Sequence, residues 1–468
     1  MFALAIARLL RIGAMSIVIR PIEPPAVGDL GAQPAIPRGT YEARCREAYR
    51  RAGCDWFVVY ADREHFANMA FLCGFEPRFE EALLLLGPGD RRVLITGNEC
   101  ESYAALSGLS GLDVELSQTM SLMGQDRSRE PRLLNVLQKA GISPGENLGL
   151  AGWKYLETEE WDGDAPGFFA PAFFVDTLRR AIEPGGKIIE ATACLMHPET
   201  GLRSVIDADQ IAAFEWAAAR SSQMLWRIVS CIQEGETEFK AAARMEYEGD
   251  PFNVHTMFAS GDRNVPVVGL RSPSARRLRR GDGVTAAIGF SGGLASRAGL
   301  ITDVDDDFLK VASSYFEGLV TWYETAAIGV AGDVMFAAVT DTLARAGLKS
   351  ALNPGHLTGH DEWIHSPIRP GSGDCIRSGM PFQVDVIPVP LRNGWALNCE
   401  DAVIFAEEPL RAEIRAHHPA TWKRIELRQA FMRNILGIKI SDAILPISST
   451  PLCLPPFWLR PTFLLARD

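Results

Sequence analysis

The reactive side chains of this sequence concentrate between His356 and Glu400. The segment NPGHLTGHDEWIHSP carries His356, His360 and His365, three of the eight histidines in the chain, with Asp361 and Glu362 among them. Imidazoles beside carboxylates move protons near neutral pH or hold a divalent cation. His356 and His360 are four residues apart and would share one face of a helix. The neighbouring Pro354, Gly355 and Gly359 favour a loop or a strand instead. Downstream, GMPFQVDVIP and NGWALNCEDAVIF read as the arms of a hairpin around Asn393-Gly394. In that register Asp385 faces Ala402 and Glu400 faces Ile387. The two carboxylates are then diagonal neighbours on one face, roughly 7–8 Å apart. Two acids on otherwise apolar arms are costly unless they bind a metal, share a proton or meet a cation. Pro388 and Pro390 disturb the ladder of such a hairpin.

A second grouping, Gly289-Phe290-Ser291-Gly292-Gly293, matches the G-x-S-x-G nucleophile elbow. That elbow needs a strand before the serine and a helix after it. The glycines at 292, 293 and 299 favour a hairpin turn. No dinucleotide or phosphate-loop glycine pattern stands out.

The elements that must position these groups fall into two halves. At 468 residues the chain is long enough for two substantial domains. With 47% apolar and 22% charged residues it has the composition of a folded globular protein, so disorder is not the default. In the first half, residues 21–39 read as an extended lead-in. Thr40 is expected to cap a helix that ends at Gly53, with Tyr41, Cys45, Ala48 and Ala52 on one stripe. Strands are expected at 54–60, 82–86, 92–96 and 148–151, giving a small α/β domain. In the second half a long helix runs over 207–232, with Leu225, Ile228, Val229 and Ile232 on one face. Another helix begins at Thr237. Two more lie near 309–324 and 334–346, the latter capped by Asp333 and stopped by Gly347. Antiparallel pairs are expected between 283–288 and 299–304, and between 381–387 and 395–405. This half is α+β. The proline-rich tail after Leu436 reads as an irregular segment laid over the surface.

A net charge of −11 argues against a nucleic-acid partner, which needs a basic face. The run Arg276, Arg277, Arg279 and Arg280 reads as a solvated edge, or as an attractor of an anionic substrate or partner. Nine cysteines without a CxxC pair read as reduced, buried thiols of a cytoplasmic protein. Arg8, Arg11 and Arg20 interrupt the apolar N-terminus, and a membrane span needs about 20 apolar residues. No membrane anchor or signal peptide is expected there. It reads as a disordered extension, with Met15 as an alternative start.

GLRSVIDADQIAAFEWAAARSS, IQEGETEFKAA, FASGDRN, RRLRRGDGVTAAIG, GHLTGHDEWIHSPI, SGMPFQVD and NCEDAVIF, in this order, resemble successive motifs of the creatinase, aminopeptidase P and Xaa-Pro peptidase family. ADREHFANMAFLCGF and EEALLLLG resemble its smaller N-terminal domain. The resemblance implies an α+β chain with a pita-bread domain over 191–440, preceded by a creatinase-like α/β domain over 40–190. Residues 1–39 would be the lead-in and 441–468 a tail packed on the domain. Peptidases of the family hold two metals with two aspartates, a histidine and two further acids. The resemblance maps that histidine to His360 and the further acids to Asp385 and Glu400. His356 and His365 match neighbouring histidines that contact substrate. The two aspartate positions hold Ala287 and Ala298, and the histidine that follows the FASGDRN motif in the family is absent.

These departures imply a non-classical member, a hydrolase of a C–N bond in a small amide, amidine or amino-acid derivative without the usual dinuclear centre. His356, His360, His365 and Glu400 are the catalytic candidates, with Asp385 and Glu362 binding substrate. One divalent metal (Mn, Zn, Fe or Co) would take His360, Asp385 and Glu400. The alternatives are a metal-dependent Xaa-Pro aminopeptidase or dipeptidase, and a non-catalytic pita-bread binding protein. The implied partners are a small-molecule or short peptide substrate and a second copy of the chain in a homodimer.

Overall fold

A computed structural model describes residues 8–12 and 15–468. The chain forms two compact units: Ala35–Ser204, and residues up to Pro34 together with Val205–Asp468.

The smaller unit is a six-stranded mixed sheet in the order Asp113–Leu116, Arg91–Thr96, Ala82–Gly87, Trp56–Ala61, Leu148–Ala151, Ile188–Glu190. WFVVYA and ALLLLG are buried along their whole length, as uninterrupted apolar runs require. Val58, Leu85, Ile95, Leu137, Leu150 and Leu178 share its core. The helix Arg38–Ala52 starts earlier than expected. Pro37 holds the extended cap position and Thr40 lies in the first turn. Its end is as read: Gly53 takes φ 61°, and its N–H reaches the Tyr49 carbonyl.

The larger unit is built on an antiparallel sheet in the order His356–Leu357, Pro381–Val384, Asn398–Phe405, Gly293–Leu300, Gly283–Phe290, Met257–Gly261. Ile444–Pro446 pairs with the end of Asn398–Phe405. The long helix Ala208–Cys231 begins where Asp207 accepts a hydrogen bond from the Gln210 N–H. Its stripe of Leu225, Ile228 and Val229 packs in one cluster with Val284, Ala286, Ile288 and Ala295. Helix Gly332–Ala344 has Ala331 at its cap, not the expected Asp333. Asp333 instead sits in the first turn, where its charge still favours the helix dipole.

Two strand readings change. Gly283–Phe290 pairs with Gly293–Leu300, not with 299–304, and Phe290 faces Gly293 across the turn Ser291-Gly292. Ser291 therefore sits in a two-residue hairpin turn, without the helix that a nucleophile elbow needs. Gly292 has φ 101°, and a Cβ there would lie 2.0 Å from the Phe214 ring. Gly292→Ala is accordingly expected to cost about 2 kcal/mol, from left-handed strain and overpacking together. A denaturant midpoint equal to wild type would refute this.

The C-terminal tail is not a surface segment. Every residue from 444 to 458 is buried. Its prolines suit an extended path that joins ladders at Ile444–Pro446 and Phe463–Arg467 and bridges Leu300 at Phe457. Phe463–Arg467 pairs with Met15–Pro21, so part of the segment expected to be disordered is a strand. The remainder of that expectation, residues 1–7 and 13–14, lies outside the described residues. Among the described residues no helix is long and apolar enough to cross a membrane.

Candidate functional site

Strand alternation builds the site. Val284, Ala286 and Ile288 pack with the long helix, which leaves Thr285 and Ala287 for the opposite face. The next strand contributes Leu294, Ser296 and Ala298 to that face, and Asn398–Phe405 contributes Asn398 and Glu400. Ser296 is paired with Ala287 on one side and Glu400 on the other. These residues, with Glu362, Trp363, Asp385 and Trp395, line a cavity of about 530 Å³.

The strands that carry the two acids pair two residues away from the expected register. Gln383 faces Ala402 and Val384 faces Asp401. Continued one step, the register sets Asp385 opposite Glu400 and not diagonal to it. An even shift leaves each side chain on its own face, so both acids still point the same way. The loop causes the shift. Only Gly394 in the turn has positive φ, 82°, whereas a tight type I′ hairpin needs two such residues. Pro388-Val389 is drawn away to pair with Lys349-Ser350.

Asp385 and Glu400 are each 6% exposed, and Asp385 Oδ1 has no hydrogen-bond partner. Burial pushes the Asp385 carboxyl up to about 6; His356 opposes the rise and Glu362 adds to it. Burial also carries Glu400 well above the usual carboxylate range, reinforced by Asp385, Glu362 and Asp401. His356 is buried in strand His356–Leu357 opposite Gln383, its ring stacked 4.0 Å from that of Trp363. Its Nε2 lies 3.0 Å from Glu362 Oε1, close but off the alignment of a hydrogen bond. Burial works against a charged imidazole, yet Glu362 and Asp385 outweigh it and raise the His356 pKa. His356, Glu362 and Glu400 each offer a donor atom, all within 4.8 Å of one another.

Of the residues singled out in the sequence, the fold gathers His356, Glu362, Asp385 and Glu400. His360 and His365 are not in this group. The His360 ring meets Phe214 edge-on at 5.6 Å, and its carbonyl accepts the Ser291 hydroxyl. The His365 backbone carbonyl accepts from the Leu357 N–H. Sequence reasoning missed Arg297 and Asp401, a fully buried ion pair that anchors Glu400 from behind. The available signal was an arginine inside the small-residue strand GLASRAGL, where an unpaired charge would be costly.

The dinuclear centre implied by the family motifs does not fit these residues. Ala287 and Ala298 present methyl groups where two aspartates would stand. Among the described residues, the carboxylates lining the cavity are Glu362, Asp385 and Glu400. A single cation fits the donor set His356, Glu362 and Glu400.

The antiparallel sheet with the long helix packed on one face belongs to the pita-bread fold shared by solved prolidases and dipeptidases. The prolidase from Pyrococcus horikoshii OT3 shares this fold at TM-score 0.61 and 14% identity, over 78% of this chain and 95% of that one. The recombinant prolidase from Thermococcus sibiricus matches at TM-score 0.61 and 18% identity, over 80% and 95%. Dipeptidase PepE from Mycobacterium ulcerans matches at 0.59 and 20%, over 80% and 95%. No protein-family model and no curated protein matches the sequence. The fold implied by the creatinase and aminopeptidase P motifs is therefore the fold of this chain.

Proposed function

We propose that this protein hydrolyses a C–N bond in a small amide, amidine or amino-acid derivative without a dinuclear metal centre. The observation that supports this reading is one cluster, His356, Glu362, Asp385 and Glu400, whose three acids line a cavity that Ala287 and Ala298 also line. A carboxyl group that keeps its proton toward neutral pH can protonate a leaving nitrogen. A histidine oriented by a neighbouring carboxylate can take a proton from the attacking water. In this reading His356 removes the water proton as the C–O bond forms. Glu400 protonates the nitrogen as the C–N bond breaks, and Asp385 and Glu362 hold the substrate. His360 and His365 take no part.

The donor distances also favour a second reading with one divalent metal (Mn, Zn, Fe or Co). His356, Glu362 and Glu400 would hold it, and it would polarise the scissile carbonyl or amidine. Metal analysis of the purified protein, paired with activity on a panel of amides and amidines, tests both. At most one metal equivalent per chain is expected. His356→Asn and Glu400→Gln should each lower kcat/KM by about 10²–10⁴, the usual share of a general acid or base. His360→Asn should leave it nearly unchanged. Two metal equivalents together with Xaa-Pro cleavage would sink the proposal.

A further inference from the structure

We propose that the cavity selects an organic cation with an apolar body and no carboxylate, which excludes dipeptides and free amino acids. This narrows the site read above and rests on that reading. Three acids line the cavity, and one of them, Asp385, 6% exposed, has a buried oxygen, Oδ1, without a hydrogen-bond partner. A buried carboxylate oxygen without a donor is costly until a donor arrives. An ammonium, amidinium or guanidinium group supplies both the donors and the opposite charge.

Among the described residues, no lysine or arginine lines the cavity. Arg297, behind the sheet, is already committed to both Asp401 oxygens and to the carbonyls of Cys453 and Thr450. His255 lines the cavity, but its Nε2 lies 3.0 Å from the Leu270 carbonyl. Arg392 lies over Trp395 with its side chain 65% exposed, on the solvent side. A carboxylate carried into the cavity would therefore meet three acids, and the one imidazole of that cluster, His356, already lies 3.0 Å from Glu362. Beside the polar Thr285, Ser296 and Asn398, the wall carries an apolar surface of Met257, Ala287, Leu294, Ala298, Trp395 and Leu397. The two alanines turn what would have been a charged floor into a surface for hydrocarbon.

Titration calorimetry on the full-length protein, dialysed against EDTA, tests this with benzamidine, neutral benzamide, 4-amidinobenzoate and the dipeptide Gly-Pro. Benzamidine should bind at least about 30-fold more tightly than the other three, the scale of losing one partner of a buried charge pair. Asp385→Asn should reduce the benzamidine preference by about tenfold and leave benzamide binding unchanged. Glu362→Gln, at a half-buried position that threatens folding less, should do the same. Equal binding of benzamide, binding of 4-amidinobenzoate or Gly-Pro as tight as benzamidine, or no binding at all overturns the inference. Because the readout is binding, selective uptake of benzamidine by a protein that hydrolyses no C–N substrate would overturn the proposed reaction alone. Hydrolysis without the charge preference would overturn the selectivity alone.

Discussion

Replacing Arg297 with methionine should destabilise the protein by about 3–5 kcal/mol, the usual consequence of stripping one partner from a buried ion pair. The Arg297 side chain is fully buried. Its guanidinium donates to the Cys453 carbonyl at 2.7 Å, to the Ser296 and Glu400 carbonyls at 2.7 and 2.9 Å, and to the Thr450 carbonyl at 2.6 Å. It also binds both oxygens of Asp401 at 3.0 and 2.9 Å. One side chain thus joins two sheet strands to the C-terminal tail. Without it, Asp401 keeps the Leu452 N–H but loses its counter-charge. Replacing both partners, Arg297→Met with Asp401→Leu, should recover most of the loss because both desolvation penalties vanish together. Urea denaturation of the two single variants and the double variant measures this. A double variant as unstable as Arg297→Met would show that the loss comes from packing and not from the stranded charge.

Asp385→Asn should act in the opposite direction. At about pH 8 it should stabilise the ligand-free protein by roughly 3 kcal/mol, and the gain should vanish near pH 4. The Asp385 carboxyl titrates at about 6 in the fold against an ordinary value of 3.8. A folded-state value above the unfolded one means that stability is complete below about pH 4 and is lost as pH rises through about 6. Asparagine has the same shape and no charge, so it escapes that loss. Glu400→Gln should shift stability in the same sense, since the same burial holds its carboxyl up. Denaturation at the two pH values gives the answer. Parallel pH profiles for wild type and Asp385→Asn would mean that the carboxylate is not held in a costly position. The same substitution should weaken benzamidine binding, so the group that destabilises the empty protein is the one that recognises ligand. Such a trade is expected where a site is kept charged and buried for function.

Much of this was legible in local pattern. The helix Ala208–Cys231 could be read from its apolar stripe. The strands Ala82–Gly87 and Arg91–Thr96 were marked by apolar runs around a Pro-Gly turn. That Asp385 and Glu400 share a face also followed from sequence, because a period of two assigns faces and an even slip leaves them unchanged. The family motifs, in their order, carried the fold.

The sequence by itself therefore determined the class of fold and the face of each acid, since both reside in residue identity and short-range periodicity. Tertiary structure alone decided three other matters. The Pro388-Val389 excursion to Lys349-Ser350 accompanies a register in which Gln383 faces Ala402 and Val384 faces Asp401. The path of the chain around Leu357 brought His356 within 4.8 Å of Glu362 and Glu400 and set the His360 ring edge-on to Phe214. The fold also joined Arg297 to Asp401 across 104 residues and buried the proline-rich tail against them. Periodicity records which way a side chain turns. How far a strand slides, and which distant segment closes over a buried charge, depend on long-range packing that no local pattern contains.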